Sequence, residues 1–153
     1  MMQFDPIDRR ILAQLQQHSD ISLDVLGEAV GLSRNACWRR VKHLESTGVI
    51  RKRVALLDPD KLDLKLSVFI QIRTQHHDAK WLQKFARAIE ATPEVMGAYR
   101  MSGDLDYLLH ARVADMAEYD ALYKRLTSRI ELSDVSASFV MEEIKATTAL
   151  PVL

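Results

Sequence analysis

Residues 32–50 read LSRNACWRRVKHLESTGVI, and they contain the most informative pattern in the N-terminal part of the chain. Ser33 is suited to cap a helix because its hydroxyl can accept a backbone N–H of the first turn, and Gly48 is suited to end the helix. The pattern predicts a helix that runs to about Thr47. A preceding helical pattern ends at Val30, so only the tight turn Gly31-Leu32-Ser33 separates the two predicted helices. This spacing predicts a helix-turn-helix.

The helix predicted in this stretch has two different faces. Cys37, Val41 and Leu44 fall on one side, which we expect to pack against the preceding helices. The opposite side carries groups that read base edges in a major groove, since Arg can bind guanine and Asn can bind adenine through paired hydrogen bonds. More basic residues follow in a segment that would reach neighbouring phosphates. The DNA-binding candidates are Ser33, Arg34, Asn35, Trp38, Arg39, Arg40, Lys42, His43, Arg51, Lys52 and Arg53.

These candidates also have simpler interpretations. Exposed Arg and Lys on a helix often form only a solvated face, Trp38 is a residue type that packs more often than it reads bases, and Cys37 is expected to be a small buried hydrophobe. The conjunction of helix-turn-helix spacing, a basic second helix and a basic segment after it favours DNA binding.

The segments on either side complete the predicted first domain. Asp5 and Pro6 predict the start of a first helix that ends near residue 18, and Ser22 is suited to cap the second helix. After Gly48, residues 49–57 predict a short β segment that would form a wing. We therefore predict a winged helix-turn-helix domain over residues 1–57 and a polar linker over residues 58–65.

Residues 66–153 change periodicity and predict a second domain. Strand patterns cover residues 66–74, 95–101, 106–113 and about 135–144, and helical patterns cover residues 78–91 and 115–130. The order βαββαβ is that of a ferredoxin-like unit, so the predicted fold class is α+β. Both helices would cover one face of the sheet, and we expect a homodimer to cover the other face.

Charge is unevenly distributed along the 153 residues. The chain has 21 Lys or Arg and 21 Asp or Glu, so its formal net charge is zero. Residues 33–53 nevertheless contain seven Lys or Arg and one acid, Glu45, whereas the segments on both sides are acidic. A local basic segment of this kind indicates a surface that binds a polyanion.

Other functional classes find little support. A lone Cys37 excludes an internal disulfide, and His76-His77-Asp78 lacks the spacing of metal ligands. No nucleotide-binding or hydrolase motif occurs, so we expect no metal, no cofactor and no enzymatic activity. No apolar run reaches the ~20 residues of a membrane span, and residues 1–6 lack the features of a secretory signal. We expect a cytoplasmic, nucleoid-associated protein without a membrane partner.

Several segments together resemble the Lrp/AsnC, or feast/famine, family of bacterial and archaeal regulators. Residues 32–50 fit its pattern Leu-Ser-x-x-x-Cys-x-x-Arg-hydrophobic-x-x-Leu-Glu-x-x-Gly-hydrophobic-Ile. The similarity continues through residues 55–59, 101–109 and 138–151. One difference is Ala36, where many members of the family have Pro.

The resemblance implies that the second domain is a RAM-type module for amino-acid sensing and assembly. In the family, sheets pair into dimers, dimers assemble into octamers or related rings, and a small amino acid binds where two dimers meet. The family's Gly-x-x-Asp-Tyr loop falls on Gly103, Asp106 and Tyr107. Taken alone, Ser-Gly-Asp is also an ordinary turn in which Asp106 caps backbone groups. The effector-binding candidates are Met101, Ser102, Gly103, Asp104, Asp106, Tyr107, Ser136 and Ser138.

We therefore expect a sequence-specific transcriptional regulator of amino-acid metabolism that acts as dimers assembled into an octamer or similar oligomer. Its expected partners are double-stranded DNA, further copies of itself and a small amino-acid effector. One alternative is a nucleoid-architectural protein that binds DNA without an effector. The other is a ferredoxin-like enzyme or carrier whose basic helix is incidental.

Overall fold

The computed structural model describes residues 4–76 and 78–152; the remaining residues of the predicted domains, 1–3, His77 and Leu153, lie outside the described residues. The chain forms two compact units. The first unit comprises Met1–Leu56 together with Lys145–Leu153, and the second comprises Leu57–Ile144.

Three helices form the first unit, as the sequence predicts: α1 (Pro6–Gln17), α2 (Leu23–Val30) and α3 (Arg34–Ser46). The side chain of Asp5 caps α1 by accepting the N–H groups of Ile7 and Asp8 at 2.9 and 2.8 Å. Ser22 and Ser33 cap α2 and α3 in the same way. The buried side chains of the three helices form one apolar core: Ile11, Leu12, Leu15, Leu26, Val30, Cys37, Val41 and Leu44.

The turn between α2 and α3 depends on two glycines. Gly31 ends α2 with φ of +74°, a left-handed conformation that favours glycine. Gly27 lies inside α2, and a Cβ placed on it would come within 2.8 Å of the carbonyl oxygen of Leu32. The same turn is closed by a hydrogen bond from the Leu32 N–H to the Gly27 carbonyl at 2.8 Å. Gly27 therefore lets the two helices approach closely.

The second unit confirms the predicted βαββαβ order. Its elements are β1 (Leu66–Arg73), α4 (Ala79–Glu90), β2 (Val95–Arg100), β3 (Tyr107–Val113), α5 (Met116–Arg129) and β4 (Asp134–Phe139), and a short 3₁₀ helix at Asp60–Leu62 precedes them. The strands form one antiparallel sheet in the order β2-β3-β1-β4. Strands β1 and β3 are therefore the central strands of the sheet, and β2 and β4 are its edges.

The two faces of the sheet differ in burial. Alternate residues of β1 and β3, including Val68, Ile70 and Leu109, are buried in a core with side chains of α4 and α5. We call the other face the open face and define it by Phe69, Gln71, Leu108, His110, Ser136 and Ser138. On it, the Phe69 and His110 rings stack with centroids 4.7 Å apart, and the Phe69 side chain is 36% exposed.

Two predicted strands are shorter than expected or absent. Residues 51–58 form no strand, and the described residues contain no backbone hydrogen-bond partner for residues 51–57, so the predicted β wing is not formed. Strand β4 ends at Phe139 and not near Ile144, because its neighbour β1 begins at Leu66 and offers only the Ser67 carbonyl beyond that point. Both differences arise because a strand needs a partner as well as strand-forming side chains.

The C-terminal segment also differs from the predicted division into domains. Residues 145–152 lie with the first unit and not with the rest of the predicted second domain. Gln16 of α1 holds this segment through both ends of its amide: Nε2 donates to the Leu150 carbonyl at 3.1 Å, and Oε1 accepts the Leu150 N–H at 2.6 Å. Val152 packs against the core of the three helices.

Candidate nucleic-acid interface and effector loop

Helix α3 presents the polar face that the sequence predicts. Cys37, Val41 and Leu44 are buried against α1 and α2, and burial raises the pKa of the Cys37 thiol. That direction keeps the thiol protonated and unreactive. The opposite face is exposed and carries Asn35, Arg39, Lys42, His43 and Ser46. The helix is therefore held by one side and offered to a partner by the other.

The predicted DNA-binding residues divide by whether their side chains have partners. Three form ion pairs at the surface: Arg34 with Asp24 at 2.8 Å, and Lys42 and Arg53 with the half-buried Glu45 at 2.8 and 3.3 Å. Exposed pairs contribute only ~0–1 kcal/mol and yield readily to a phosphate. Five others have no side-chain hydrogen bond or ion pair within residues 4–76 and 78–152: Asn35, Arg39, His43, Arg51 and Lys52.

Arg40, a predicted DNA contact, forms ion pairs within the protein. Its Nη1 atom lies 2.6 Å from Asp5 Oδ2 and 2.8 Å from Asp8 Oδ1, so it ties α3 to the start of α1. The bonds to Asp8 and Asp5 raise the pKa of Arg40. The backbone N–H of Asp8 and the Arg40 guanidinium lower the pKa of Asp5. The guanidinium is turned toward the start of α1, so its pairing with the two acids stabilises the contact between α1 and α3.

The start of α3 and Trp38 complete this surface. Ser33 Oγ accepts the Ala36 N–H at 3.3 Å. The N–H groups of the first two residues of α3 have no acceptor within residues 4–76 and 78–152, and they lie at the positive end of the helix dipole. Such N–H groups suit a backbone phosphate. Trp38 is 48% exposed and therefore lies at the margin of the core and not within it.

The predicted effector loop joins β2 to β3. Its ends are closed by a hydrogen bond from the Met101 N–H to the Asp106 carbonyl at 2.9 Å. Gly103 has φ of +113°, a conformation that other residues rarely adopt. The loop is also tied to the end of β1, because Arg73 Nε donates to the Asp104 carbonyl at 2.8 Å and the Thr74 N–H donates to Asp106 Oδ2 at 2.8 Å.

Two of the predicted effector residues are already engaged in the protein. The Asp106 carboxylate is half-buried and caps the Thr74 backbone, which is the structural role that an Asp in such a turn often takes. Tyr107 is only 6% exposed and packs with Trp81 and Phe85 at ring-centroid distances of 5.7 and 4.5 Å. The first residue of β3 thus faces the helices, and its ring cannot line a site on the loop.

The other effector candidates are exposed but not all together. Met101, Ser102, Gly103 and Asp104 are exposed in the loop. Ser136 and Ser138 are exposed on β4, and the sheet order places β1 between them and the loop strands. Sequence reasoning missed Arg73, whose contact with the loop spans 31 residues and leaves no local pattern.

Neither a cluster of metal ligands nor a helix that could cross a membrane occurs among the described residues. Within residues 4–76 and 78–152, no group of three or more His, Cys, Asp or Glu side chains is placed to hold a metal ion. None of the helices in the described ranges combines the length and the apolarity that a bilayer crossing requires.

Two family models match the chain, and together they span almost all of it. A model described as winged helix-turn-helix DNA-binding matches residues 4–51, and a model described as Lrp/AsnC ligand binding domain matches residues 67–150. The first match covers α1 to α3, and the second covers the βαββαβ unit and most of the C-terminal segment.

Known proteins resemble the chain over nearly its full length. The DNA-binding transcriptional activator DecR of Escherichia coli is 50% identical, with 97% of this chain and 98% of DecR covered. The crystal structure of an AsnC family transcriptional regulator from Agrobacterium tumefaciens is 51% identical, with a TM-score of 0.94 and 97% of each chain covered. A transcriptional regulator from Neisseria meningitidis in complex with L-Met is 35% identical, with a TM-score of 0.93 and coverage of 98% of this chain and 97% of the other.

Proposed function

Because the chain belongs to the Lrp/AsnC family of DNA-binding transcriptional regulators, which are not enzymes, we propose that it reads its operators with the exposed face of α3 and responds to a small amino acid bound at the loop between β2 and β3. The observation that carries the DNA-binding part of the proposal is the exposed set Asn35, Arg39 and His43 on α3, whose side chains have no hydrogen bond or ion pair with any other described residue. Arg and Asn are the side chains that distinguish guanine and adenine in the major groove.

Phosphate contacts would position this helix on the duplex. Arg51 and Lys52 are exposed and follow α3, and Ser33 marks its positive end. Arg34, Lys42 and Arg53 lie at the surface and can exchange their acidic partners for phosphates. The basic segment 33–53 supplies the sequence-independent part of the affinity, and its release of counterions makes binding depend on salt.

The effector part of the proposal rests on the second unit. The Lrp/AsnC ligand binding domain model matches it, and the Neisseria meningitidis relative was solved with L-Met. Met101, Ser102, Gly103 and Asp104 are exposed in a loop whose backbone is fixed at both ends. A zwitterion needs donors for its carboxylate and an acid for its ammonium group, and a loop of this composition offers the acid.

Assembly is the third part of the proposal. We infer that the open face of the sheet pairs with that of a second copy, and that dimers assemble into an octamer or a similar oligomer. Exposed Phe69 and half-buried Leu108 on a sheet face without helices support this pairing, since apolar side chains on such a face favour a covering partner. The proposed place of action is the nucleoid in the cytoplasm, and the proposed targets are genes of amino-acid metabolism.

Fluorescence anisotropy with the full-length protein tests this function. We expect tight, salt-dependent binding to a set of genomic promoter duplexes, with an affinity for the preferred duplexes that changes when one of the twenty amino acids is added. Arg51→Ala should weaken binding to all duplexes alike and reduce the slope of log affinity against log salt by about one unit. Absence of DNA binding at low salt would contradict the proposal, and DNA binding insensitive to every amino acid would favour the architectural alternative.

A further inference from the structure

Arg73 is the last residue of the central strand β1, at the end of the sheet where the effector loop joins β2 to β3. It follows buried Ile72 in the strand, so it lies on the open-face side. Its guanidinium makes two contacts: Nε donates to the Asp104 carbonyl of the loop at 2.8 Å, and Nη1 lies 3.2 Å from Oδ2 of Asp134, the first residue of β4. The same guanidinium thus touches the loop and holds a carboxylate.

We propose that Arg73 binds the α-carboxylate of the amino-acid effector, an inference that rests on the effector response of the proposed function. A guanidinium is planar and presents its N–H groups as a fork that matches a carboxylate, and Arg73 already has its plane fixed by the bond to the loop. The carboxylate of Asp134 occupies the place that the effector carboxylate takes on binding.

Displacement of Asp134 requires little free energy. The side chains of Arg73 and Asp134 are 51% and 57% exposed, and an exposed pair of this kind contributes ~0–1 kcal/mol. The contact is also one-sided, since among the described residues only Nη1 of Arg73 bonds to Asp134 and Nη2 has no partner. A ligand carboxylate that engages both terminal nitrogens gains a second hydrogen bond.

Asp104 provides the complementary charge for the ammonium group. Its carboxylate is exposed and forms no hydrogen bond or ion pair within residues 4–76 and 78–152. Its own carbonyl accepts from Arg73, which places the residue beside the guanidinium. Asp106 is less suited to this role, because it is half-buried and its Oδ2 already accepts the Thr74 N–H. The Arg73 and Asp104 pair therefore selects a ligand that carries both a carboxylate and an amine.

Calorimetric or thermal-shift titration of the full-length protein with each of the twenty L-amino acids, followed by the amide of each one that binds, tests this assignment. In the wild type, an amino acid should bind at least about tenfold more tightly than its amide. Arg73→Ala should weaken the acid by a similar factor and leave the amide unchanged, so that the two bind alike. Arg73→Lys should restore only part of the preference, because an ammonium lacks the planar fork. Arg87→Ala, which removes an exposed Arg of α4, is the matched control and should leave both affinities unchanged.

The results separate this inference from the function on which it rests. If Arg73 only supports the loop, its replacement should weaken binding of the acid and of the amide equally. That result would overturn the assignment while the effector response stands. Asp134→Asn should strengthen binding of the acid by removing its competitor, and a weaker affinity in this variant would overturn the displacement step. If no amino acid binds the wild type, the effector response itself fails, and the assignment fails with it.

Discussion

At the residue scale, Arg40 shows where a local pattern is insufficient. The sequence places it on the flank of a basic helix, next to Arg39, and both are equally good DNA contacts by residue type. Their partners distinguish them: Arg40 reaches Asp5 and Asp8, which lie 35 and 32 positions away, whereas Arg39 has no partner among the described residues. Capping residues, in contrast, were predictable because Asp5 and Ser33 act within three residues of themselves.

The pairing of Arg40 predicts a defect in stability and not in base preference. Arg40→Ala should lower the melting temperature at neutral pH. Arg39→Ala, which loses no hydrogen bond or ion pair among the described residues, should change the free energy of unfolding by no more than about 0.5 kcal/mol. The pKa of Asp5 is lowered in the folded protein, so its contribution to stability is present above the ordinary pKa of about 4 and is lost as pH falls through the folded value. The difference between wild type and Arg40→Ala should therefore shrink in acid. A difference independent of pH, or an unchanged melting temperature, would contradict this account.

At the scale of elements, the helices were easier to predict than the strands. Helix caps and apolar periodicity are local, and α1 to α3 begin and end within two residues of the predicted positions. Residues 49–57 have strand-forming side chains, yet no strand of the described chain pairs with them, so strand propensity alone did not determine their structure. The close approach at Gly27 was also missed, although a glycine inside a helix is itself a signal that a packing constraint exists.

Gly27 gives a prediction whose sign distinguishes packing from propensity. Helix propensity alone predicts that Gly27→Ala stabilises α2 by about 1 kcal/mol. A methyl group on residue 27 would lie 2.8 Å from the Leu32 carbonyl oxygen, which is too close, so it should force α2 and α3 apart. We therefore expect a destabilisation of ~1–3 kcal/mol together with weaker DNA binding. Thermal unfolding followed by circular dichroism measures the change. Glu28→Ala, on the exposed side of the same helix, is the control, and a Gly27→Ala protein more stable than wild type would refute the packing argument.

At the scale of the molecule, the βαββαβ order and the two faces of the sheet followed from the sequence. The place of the C-terminal segment did not. Residues 145–152 carry no helix or strand pattern, and the Gln16 contact that places Leu150 spans 134 residues. The first unit is therefore built from both ends of the chain, an arrangement that no local signal reports.

The open face gives a prediction about assembly. Phe69→Glu places a charge in the middle of that face and should reduce the mass of the particle in solution, because burying an unpaired carboxylate in an interface is costly. Light scattering after size-exclusion chromatography measures the mass. Leu82→Glu is the matched control, since Leu82 is 40% exposed on α4, away from the open face. A Phe69→Glu protein that keeps the wild-type mass would exclude the open face as the dimer surface.

We infer that α3 reads a DNA sequence through its exposed face, and selection from a pool of random duplexes is the sharpest test of this claim. Wild-type protein should enrich one related set of sites. Arg39→Ala should lose preference at one base-pair position in each half-site, with a loss of ~1–3 kcal/mol on the wild-type sites and little change on unrelated DNA. An Arg39→Ala protein that enriches the same sites with the same strength, or a wild-type protein that enriches none, would contradict the claim.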